Sequence, residues 1–480
     1  MVSLTFNREL FDDKPEAALR RDAAHVLAAA VAAVDPHAAV RRVVRRRGAI
    51  LRIGEQEYRL NRRRRIFVIG GGKADAPMAA ALEEILGDRI SGGLLSVKYG
   101  YTVPLRLVQF VEAGHPLPDQ AGERAAERML EVAQRAERDD LVICLISGGG
   151  SALLPAPVEG LTLEDKIQLT DLLLRSGATI REINTVRKHL SRIKGGQLAR
   201  AAWPAQVAVL VLSDVIGNPL DAIASGPAVP DPTTFDDALA IVERYGLEQR
   251  IPPAALDYLN RGAAGSAPET PKPGDPVFDS VQTVVIGSNE HAVRAAAGAA
   301  RVRGYRPLLL TPFLEGEARE AARVLVSVAR GVQEAAMPAP APACVVAGGE
   351  TTVTMRGQGK GGRCQEFALS AAIAIHRRPH TVVAAFGTDG TDGPTDAAGA
   401  VADGSTLERA AAAGLNPSRA METNDAYPFF SALSDLIVTG PTNTNVNDVY
   451  IALVGAPPPA KRAARGHNMY KKRTSRGKAF

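Results

Sequence analysis

Cysteine is scarce in this chain of 480 residues, and its scarcity excludes several kinds of site. The three cysteines, Cys144, Cys344 and Cys364, form no CxxC pair. A disulfide framework or a zinc knuckle is therefore not expected. Long apolar runs are missing too, since none reaches the roughly 18 residues that a membrane span needs. The N-terminus lacks the apolar stretch of a signal peptide. We expect a cytoplasmic protein with no membrane partner.

Positive charge is in excess, but it is concentrated at one end of the chain. The net charge is +5, and residues 461–480 alone hold eight Lys and Arg and no acid. The segment has no hydrophobic periodicity, which favours a disordered basic tail at 457–480. A non-specific nucleic-acid arm is the alternative. The basic stretch 41–65 indicates a β-hairpin with an arginine-rich solvent face, because few aromatic rings accompany it. We expect no specific nucleic-acid partner.

Strand-like and helix-like segments alternate along most of the chain. One series runs from residue 66 to about 230, and a second begins at 280. Such alternation predicts an α/β fold with a mostly parallel sheet. Residues 261–279 are rich in Pro, Gly and small side chains, as domain boundaries often are. We therefore predict domains at 1–260 and 280–456, with a linker at 261–279 between them.

Two glycine-rich loops follow apolar strands and precede helices. Glycines let backbone N–H groups approach an anion, and ligands of open α/β sheets bind at the carboxyl ends of strands. The first loop adds a lysine that can lie beside phosphates. Tight turns without a ligand are the alternative for both loops. The predicted anion contacts are Gly71, Gly72, Lys73, Ser147, Gly148, Gly149, Gly150 and Ser151.

A third glycine-rich loop formally matches the dinucleotide fingerprint G-x-G-x-x-G at 357–362. Read that way, it predicts a nicotinamide-dependent reductase. However, Lys360 lies within the loop and Arg363 follows it, and these two cations suit a phosphoryl group or a substrate carboxylate better. The acid expected about 20 residues beyond such a fingerprint is also missing.

Four acidic residues are candidates for metal binding or for accepting a proton. Asp214 ends an apolar strand, Glu350 precedes the third loop, and Asp389 and Asp392 lie in the segment FGTDGTD. Mg²⁺ is bound by a few carboxylates together with substrate phosphates. We predict Asp214 as a catalytic residue and the other three as metal ligands. The residues alone do not separate the base from the metal ligands.

Long segments of the chain resemble the glycerate 2-kinase family, which combines an N-terminal glycerate-kinase domain with a C-terminal MOFRL domain. The resemblance covers roughly residues 11–454. It departs from the family pattern at Cys364, where Asn is expected, and at Asn218, where Asp is common. The matching segments include VIGGGKADAPM at 68–78, EAGHPLPD at 112–119, LISGGGSALL at 145–154, GGETTVTMRGQGKGGRCQEFAL at 348–369, FGTDGTDGPTDAAGA at 386–400 and TGPTNTNVNDVYIALV at 439–454.

The resemblance implies an enzyme that phosphorylates D-glycerate at its 2-hydroxyl with ATP and Mg²⁺. It further implies two α/β domains, the first of them Rossmann-like, with the active site in the cleft between them. By motif, the family's functional lysine and arginine fall on Lys73 and Arg363. Asn445 is predicted to contact the nucleotide, and a homo-oligomer is possible. The alternatives are an NAD(P)H-dependent hydroxypyruvate reductase and a protein that binds a nucleotide without turnover.

Overall fold

The computed structural model describes residues 4–61 and 63–456. Its first helices are α1 (Ala17–Ala33) and α2 (Pro36–Val43). Helix α2 begins with proline at its first position, and Asp35 caps it by accepting a hydrogen bond from the Ala38 N–H at 2.7 Å. A small antiparallel sheet follows, in which β1 (Val44–Arg47), β2 (Ile50–Ile53) and β3 (Gln56–Arg59) pair in order. Its arginines face solvent as predicted, but it has three strands rather than two.

The first large sheet has six parallel strands in the order β6-β5-β4-β7-β8-β9. Along the chain, β4, β5 and β6 form one half of the sheet, and β7, β8 and β9 then extend it on the other side of β4. The point of reversal lies between the central strands β4 and β7, which is where a Rossmann-type sheet binds its ligand. The strands are β4 (Ile66–Gly71), β5 (Gly92–Lys98), β6 (Gln109–Ala113), β7 (Leu141–Ile146), β8 (Gln206–Leu212) and β9 (Val281–Gly287).

Eight helices accompany this sheet: α3 (Asp75–Leu86), α4 (Gln120–Gln134), α5 (Gly150–Leu153), α6 (Leu163–Arg175), α7 (Ile180–His189), α8 (Gln197–Ala202), α9 (Phe235–Arg244) and α10 (Pro253–Ala263). Helices α6, α7, α9 and α10 pack around a hydrophobic core of their own, and we call them the helical unit. Threonine begins three of them, and in each case it forms a capping box with an acid three residues later. These caps define where the helices start.

The second large sheet is mixed and has the order β10-β11-β15-β12-β13-β14. Only β10 and β11 are parallel, and the other neighbours are antiparallel. Its strands are β10 (Arg306–Leu314), β11 (Ala343–Gly349), β12 (Thr381–Gly387), β13 (Gly399–Asp403), β14 (Leu436–Ile437) and β15 (Asp448–Val454). Its helices are α11 (Asn289–Val302), α12 (Ala318–Ala335), α13 (Arg363–Ala374), α14 (Thr406–Ala412), α15 (Pro417–Glu422) and α16 (Ala426–Ala432).

The division of the chain between the two sheets differs from the predicted one. The segment predicted as a linker, 261–279, is packed against the first sheet's domain: Thr270 is 2% exposed and donates a hydrogen bond to Asp231. Strand β9, beyond that segment, pairs in parallel with β8. The domain boundary predicted at 261–279 is therefore wrong, because Pro and Gly mark irregular backbone here and not a separation of cores.

The N-terminal helix also lies on an unexpected side of the boundary. Helix α1 packs against α11, β12 and β15 of the second sheet. Buried Arg20 in α1 bonds to Asp403 and Asp435, also in the second half. We therefore define the first lobe as residues 36–287 and the second lobe as α1 with residues 289–456. The predicted tail at 457–480 lies outside the described residues.

In the described ranges, no single helix is long and apolar enough to cross a membrane. Helices α1 and α2 pass that test of length and composition only as a pair, and the pair is bent by 55°.

Candidate active site

The two predicted anion loops lie side by side where the first sheet reverses direction. The Lys73 N–H donates to the Gly148 carbonyl at 2.9 Å, and the Ala74 N–H donates to Ser147 Oγ, also at 2.9 Å. A Cβ on Gly72 would lie 2.1 Å from Ser147 Oγ. Glycine is needed at this position because the neighbouring loop passes too close for any side chain.

Ser147 and Asp75 join the two loops from the inside. Ser147 is 1% exposed, and its hydroxyl lies 2.5 Å from the carboxyl of fully buried Asp75. Burial raises the pKa of Asp75 to about 8, against the lowering effect of the Ser147 hydrogen bond. Asp75 is therefore mostly protonated at neutral pH. The hydroxyl of Ser147, predicted to meet the cofactor, is instead engaged within the protein.

Lys73 and two glycines of the second loop have hydrogen-bond donors that remain free to bind a ligand. Among the described residues, the ammonium of half-buried Lys73 forms no hydrogen bond or ion pair. The N–H groups of Gly148 and Gly149 likewise have no acceptor within the described chain. Ser151, at the far end of the loop, lies 2.9 Å from Ser225 through its hydroxyl. One ammonium and two N–H groups are thus available for an anion at the switch point.

His115 is a member of this site that sequence reasoning missed. A Cβ on Gly149 would lie 2.8 Å from His115 Cδ2 and 3.1 Å from its Nε2, so the ring borders the second loop. Burial, with the charges of Lys73 and Lys98, lowers the pKa of His115 to about 4. The ring is therefore neutral at physiological pH. Its position in the loop after β6, at the same sheet edge as the glycine loops, is the signal that could have identified it.

Asp214 connects the two lobes. It follows β8 in the first lobe and accepts a hydrogen bond from Asn445 of the second lobe at 3.3 Å. Burial raises the pKa of Asp214 to about 6; Lys73 lowers it, and Glu350 and Asp389 raise it. The structure thus brings five predicted site residues, two from the first lobe and three from the second, to one interlobe cleft.

Arg363, at the start of α13, is held by two carboxylates in the same cleft. It makes a bidentate contact with buried Asp448, at 2.6 and 3.1 Å, and a further bond to Glu350 at 2.6 Å. Burial lowers the pKa of Arg363, but the charges of Asp448 and Glu350 outweigh this and raise it. Three of its five N–H donors are occupied, so two remain. Sequence reasoning missed Asp448 as the residue that orients Arg363.

The third glycine loop is packed against the chain in its first half. No strand directly precedes it, because residues 351–355 form only one bridge, between Glu317 and Thr352. A Cβ on Gly359 would lie 2.5 Å from the Thr423 carbonyl, so the loop is packed against the chain. The ammonium of Lys360 lies 4.2 Å from the ring centre of Tyr427. Gly357 and Gly359 are packed against Thr423, whereas Gly361 and Gly362 line a cavity beside Arg363, which Lys360 does not line.

The three predicted metal ligands have different environments. Asp392 is 3% exposed, and its two oxygens accept hydrogen bonds from the Cys364 and Gln365 N–H groups, which caps α13. Asp389 and Glu350 each keep an oxygen without a protein partner in the described chain. No group of three His, Cys, Asp or Glu side chains in the described residues could hold a metal ion by itself.

One cavity lies in the cleft and a second lies within the second lobe. The Arg363 cavity, of about 540 Å³, lies within the second lobe and is lined by charged residues that include Arg363, Asp389 and Glu366. The α7 cavity, of about 680 Å³, lies between α7, the loop after Asp214 and the second lobe. Asp214 and Glu350 line the α7 cavity, so this cavity adjoins the charged residues of the interlobe cleft.

Family models match both lobes. The domain of unknown function DUF4147 matches residues 22–260, and the MOFRL family matches residues 343–448. Glycerate 2-kinase of Pyrococcus horikoshii is 42% identical over 88% of this chain and 95% of its own length.

A relative and a solved structure come from Thermotoga maritima. D-glycerate 2-kinase of this organism is 43% identical over 81% of this chain and 91% of its own length. The crystal structure of glycerate kinase from the same organism superposes with a TM-score of 0.82 at 40% identity, over 91% of this chain and 99% of that one.

Two relatives from Agrobacterium vitis have a different name. A putative hydroxypyruvate reductase of Agrobacterium vitis is 46% identical over 82% of this chain and 88% of its own length. The reductase name is weaker evidence of activity than the kinase names, since kinases cover the chain at comparable identity and share its fold. The motif resemblance and the two-lobe α/β fold are both confirmed, and the chain belongs to the glycerate kinase family.

Proposed function

We infer that this chain is a glycerate 2-kinase, which transfers the γ-phosphoryl group of ATP to the 2-hydroxyl of D-glycerate. The observation that carries the proposal is the environment of Asp214. Its carboxyl accepts a hydrogen bond from Asn445 of the second lobe, and the charges of Lys73, Glu350 and Asp389 all act on its pKa, which is about 6. Phosphoryl transfer needs positioning and charge neutralisation, and this arrangement supplies both.

Lys73 and the N–H groups of Gly148 and Gly149 bind the transferring phosphoryl group. Each has no protein partner in the described chain, and all three lie at the switch point of the first sheet. Donors that are held in place before the reaction stabilise developing charge without reorganisation. The neutral ring of His115 borders the same loop and offers a further hydrogen bond.

Asp214 accepts the proton of the 2-hydroxyl. A general base is most effective when its pKa lies near the working pH, and a pKa of about 6 meets that condition. Arg363 keeps two N–H donors for the carboxylate of glycerate, while Asp448 fixes the direction of its guanidinium. Asn445 positions Asp214 from the opposite lobe.

The residues present also fit a magnesium ion held with the nucleotide. Mg²⁺ commonly takes one or two carboxylates together with substrate phosphates, and does not need a cage made of protein alone. Asp389 and Glu350 would hold it, since each has a free oxygen and both raise the pKa of Asp214 across the cleft. When bound, the ion neutralises charge on the β- and γ-phosphates. Asp392 is not proposed as a ligand, because α13 uses both of its oxygens.

Dinucleotide chemistry fits these residues poorly. The fingerprint at 357–362 is packed against Thr423, and Gly362 against Asp392. In the first lobe, Ser147 and Asp75 occupy the start of α3, where a Rossmann-type protein binds pyrophosphate. A hydroxypyruvate reductase would need one of these places for its cofactor.

The proposal is tested with D-glycerate and MgATP as the only substrates and the product identified by ³¹P NMR. We expect 2-phosphoglycerate from the wild type and roughly 100- to 10,000-fold slower formation of it from Asp214→Asn. A 3-phosphoglycerate signal would contradict the position of transfer. Hydroxypyruvate-dependent oxidation of NAD(P)H, with no phosphoglycerate formed, would replace the kinase with the reductase.

A further inference from the structure

Lys98 is a cation of the first lobe that the reaction chemistry above does not use. It is the last residue of β5, and the carboxyl ends of parallel strands form the edge at which such a sheet binds its ligands. Its half-buried side chain lies against Tyr101, with the ammonium 4.8 Å from the centre of the ring. Among the described residues, the ammonium forms no hydrogen bond or ion pair, so its three N–H donors are free.

The strand register places Lys98 beside the residues that border the glycine loops. Lys98 pairs with Ala113 of β6, and His115 follows Ala113 by two residues. Strand β5 also contacts the first glycine loop, because the Gly72 N–H donates to the Ser96 carbonyl at 3.1 Å. Lys98 therefore lies at the same sheet edge as both anion loops, two residues beyond this contact.

His115 lies close to both Lys98 and Lys73. A Cβ on Gly149 would lie 2.8 Å from His115 Cδ2 and 3.5 Å from Lys73 Cγ, so the ring and the lysine flank the same loop. Burial lowers the pKa of His115, and the charges of Lys73 and Lys98 lower it further. Two ammoniums thus act on one neutral ring, and neither is paired with a carboxylate of the described residues. Like charges held this close in a cleft favour the binding of an anion.

The ring that supports Lys98 also identifies the kind of anion. Burial raises the pKa of Tyr101, and the charge of Asp389 in the second lobe raises it further, so this ring lies near the proposed magnesium site. Magnesium is held together with the phosphates of a nucleotide. In the proposed function, Arg363 binds the carboxylate of glycerate. A phosphate is therefore the anion that Lys98 would bind beside Lys73.

We propose that Lys98 binds the β-phosphate of ATP, next to the γ-phosphoryl group that Lys73 binds. During transfer, the bond from the γ-phosphorus to the bridging oxygen breaks while the bond to the 2-oxygen of glycerate forms. The proton of the 2-hydroxyl passes to Asp214, and the electron pair of the broken bond remains on the β-phosphate of ADP. Lys98 stabilises the charge that develops there. The inference rests on the proposed kinase function and adds a residue for the leaving group.

The test measures the binding of ADP with Mg²⁺ to the full-length chain by isothermal titration calorimetry, since ADP carries the β-phosphate and needs no turnover. We expect Lys98→Met to weaken ADP binding about 10- to 100-fold, the effect of losing one charged hydrogen bond. Lys98→Arg keeps the charge and should recover most of the affinity. Binding of D-glycerate should stay within about twofold of the wild type. The melting temperature should change little, because the ammonium has no hydrogen bond or ion pair in the described chain.

Lys360→Met is the matched control. Its ammonium also lies over a tyrosine ring, 4.2 Å from the centre of Tyr427, but in the second lobe, and its loss should leave ADP binding unchanged. Unaltered ADP binding in Lys98→Met, or an equal loss in Lys360→Met, would overturn the assignment, as would a loss of D-glycerate binding alone. Wild-type protein that binds ADP through Lys98 but makes no phosphoglycerate would refute the kinase and leave the phosphate site in place.

Discussion

The free ammonium of Lys73 allows a direct prediction of what its removal does to catalysis. Lys73→Ala should lower kcat by roughly 100- to 1000-fold, the usual effect of removing one preorganised charge from a transferring group. The melting temperature should stay near that of the wild type, because the ammonium has no protein partner in the described chain.

Lys360→Ala is the matched control for Lys73→Ala. Its ammonium lies over Tyr427 and outside both cavities, so kcat should remain within about threefold of the wild type. Equal losses in the two variants would mean that Lys73 has no special role. Steady-state kinetics with both substrates, beside thermal unfolding, distinguish these results.

The pKa of Asp214 predicts how activity falls on the acid side of the pH profile. As a base it must be ionised, so kcat/KM for glycerate should fall as the pH drops through about 6, approaching tenfold per unit below it. The fall is on the acid side because protonation removes the acceptor. The residual activity of Asp214→Asn should lack this limb. An unchanged limb in that variant would assign the titration to another group.

At the scale of elements, Asp392 acts as a cap for α13. Asp392→Ala leaves the Cys364 and Gln365 N–H groups buried without an acceptor and should lower the free energy of unfolding by about 2 kcal/mol. Asp392→Asn keeps one acceptor oxygen and should lose less. Urea unfolding at neutral pH measures both changes.

The magnesium dependence of activity separates capping from metal binding. Asp389→Asn should raise the Mg²⁺ concentration needed for half-maximal rate, whereas Asp392→Asn should leave it near the wild-type value. The reverse result would return Asp392 to the metal site and remove Asp389 from it.

Local patterns identified the elements that hold the site, but not what each glycine touches. The loops at 70–73 and 147–151 could be predicted because an apolar strand, a glycine run and a helix follow one another in sequence. The loop at 357–362 has the same composition, yet its glycines accommodate Thr423 and Asp392. Asp448 and Arg363 are 85 residues apart, so no local pattern pairs them. Contacts between distant segments are what the sequence alone leaves open.

For the whole molecule, alternation of strands and helices predicts two α/β units, but not which strand joins which sheet. Strand β9 follows a Pro- and Gly-rich segment and still pairs with β8. Helix α1 precedes the first sheet in sequence and still packs on the second sheet. Strand pairing and helix docking depend on partners tens to hundreds of residues away, and composition near a boundary does not encode them.

Arg20 tests the assignment of α1 to the second lobe. It is fully buried and bonds to Asp403 and Asp435, so Arg20→Leu leaves two buried carboxylates short of a partner. The second lobe should lose about 3–5 kcal/mol of stability, the usual cost of breaking a buried pair. Hydrogen exchange should accelerate in α1 and β13, with β4 and β7 unaffected. Equal acceleration in both lobes would contradict the division proposed here.

The location of α1 also determines when the second lobe can finish folding during translation. Helix α1 is synthesised long before the surface on which it docks, because the partners of Arg20 are 383 and 415 residues later. Residues 36–287 form a continuous segment and can fold while the rest is being made, as domains generally do. The nascent α1 must meanwhile remain without its docking surface. Assembly of the second lobe, and with it the catalytic cleft, therefore waits until Asp403 and Asp435 have been synthesised.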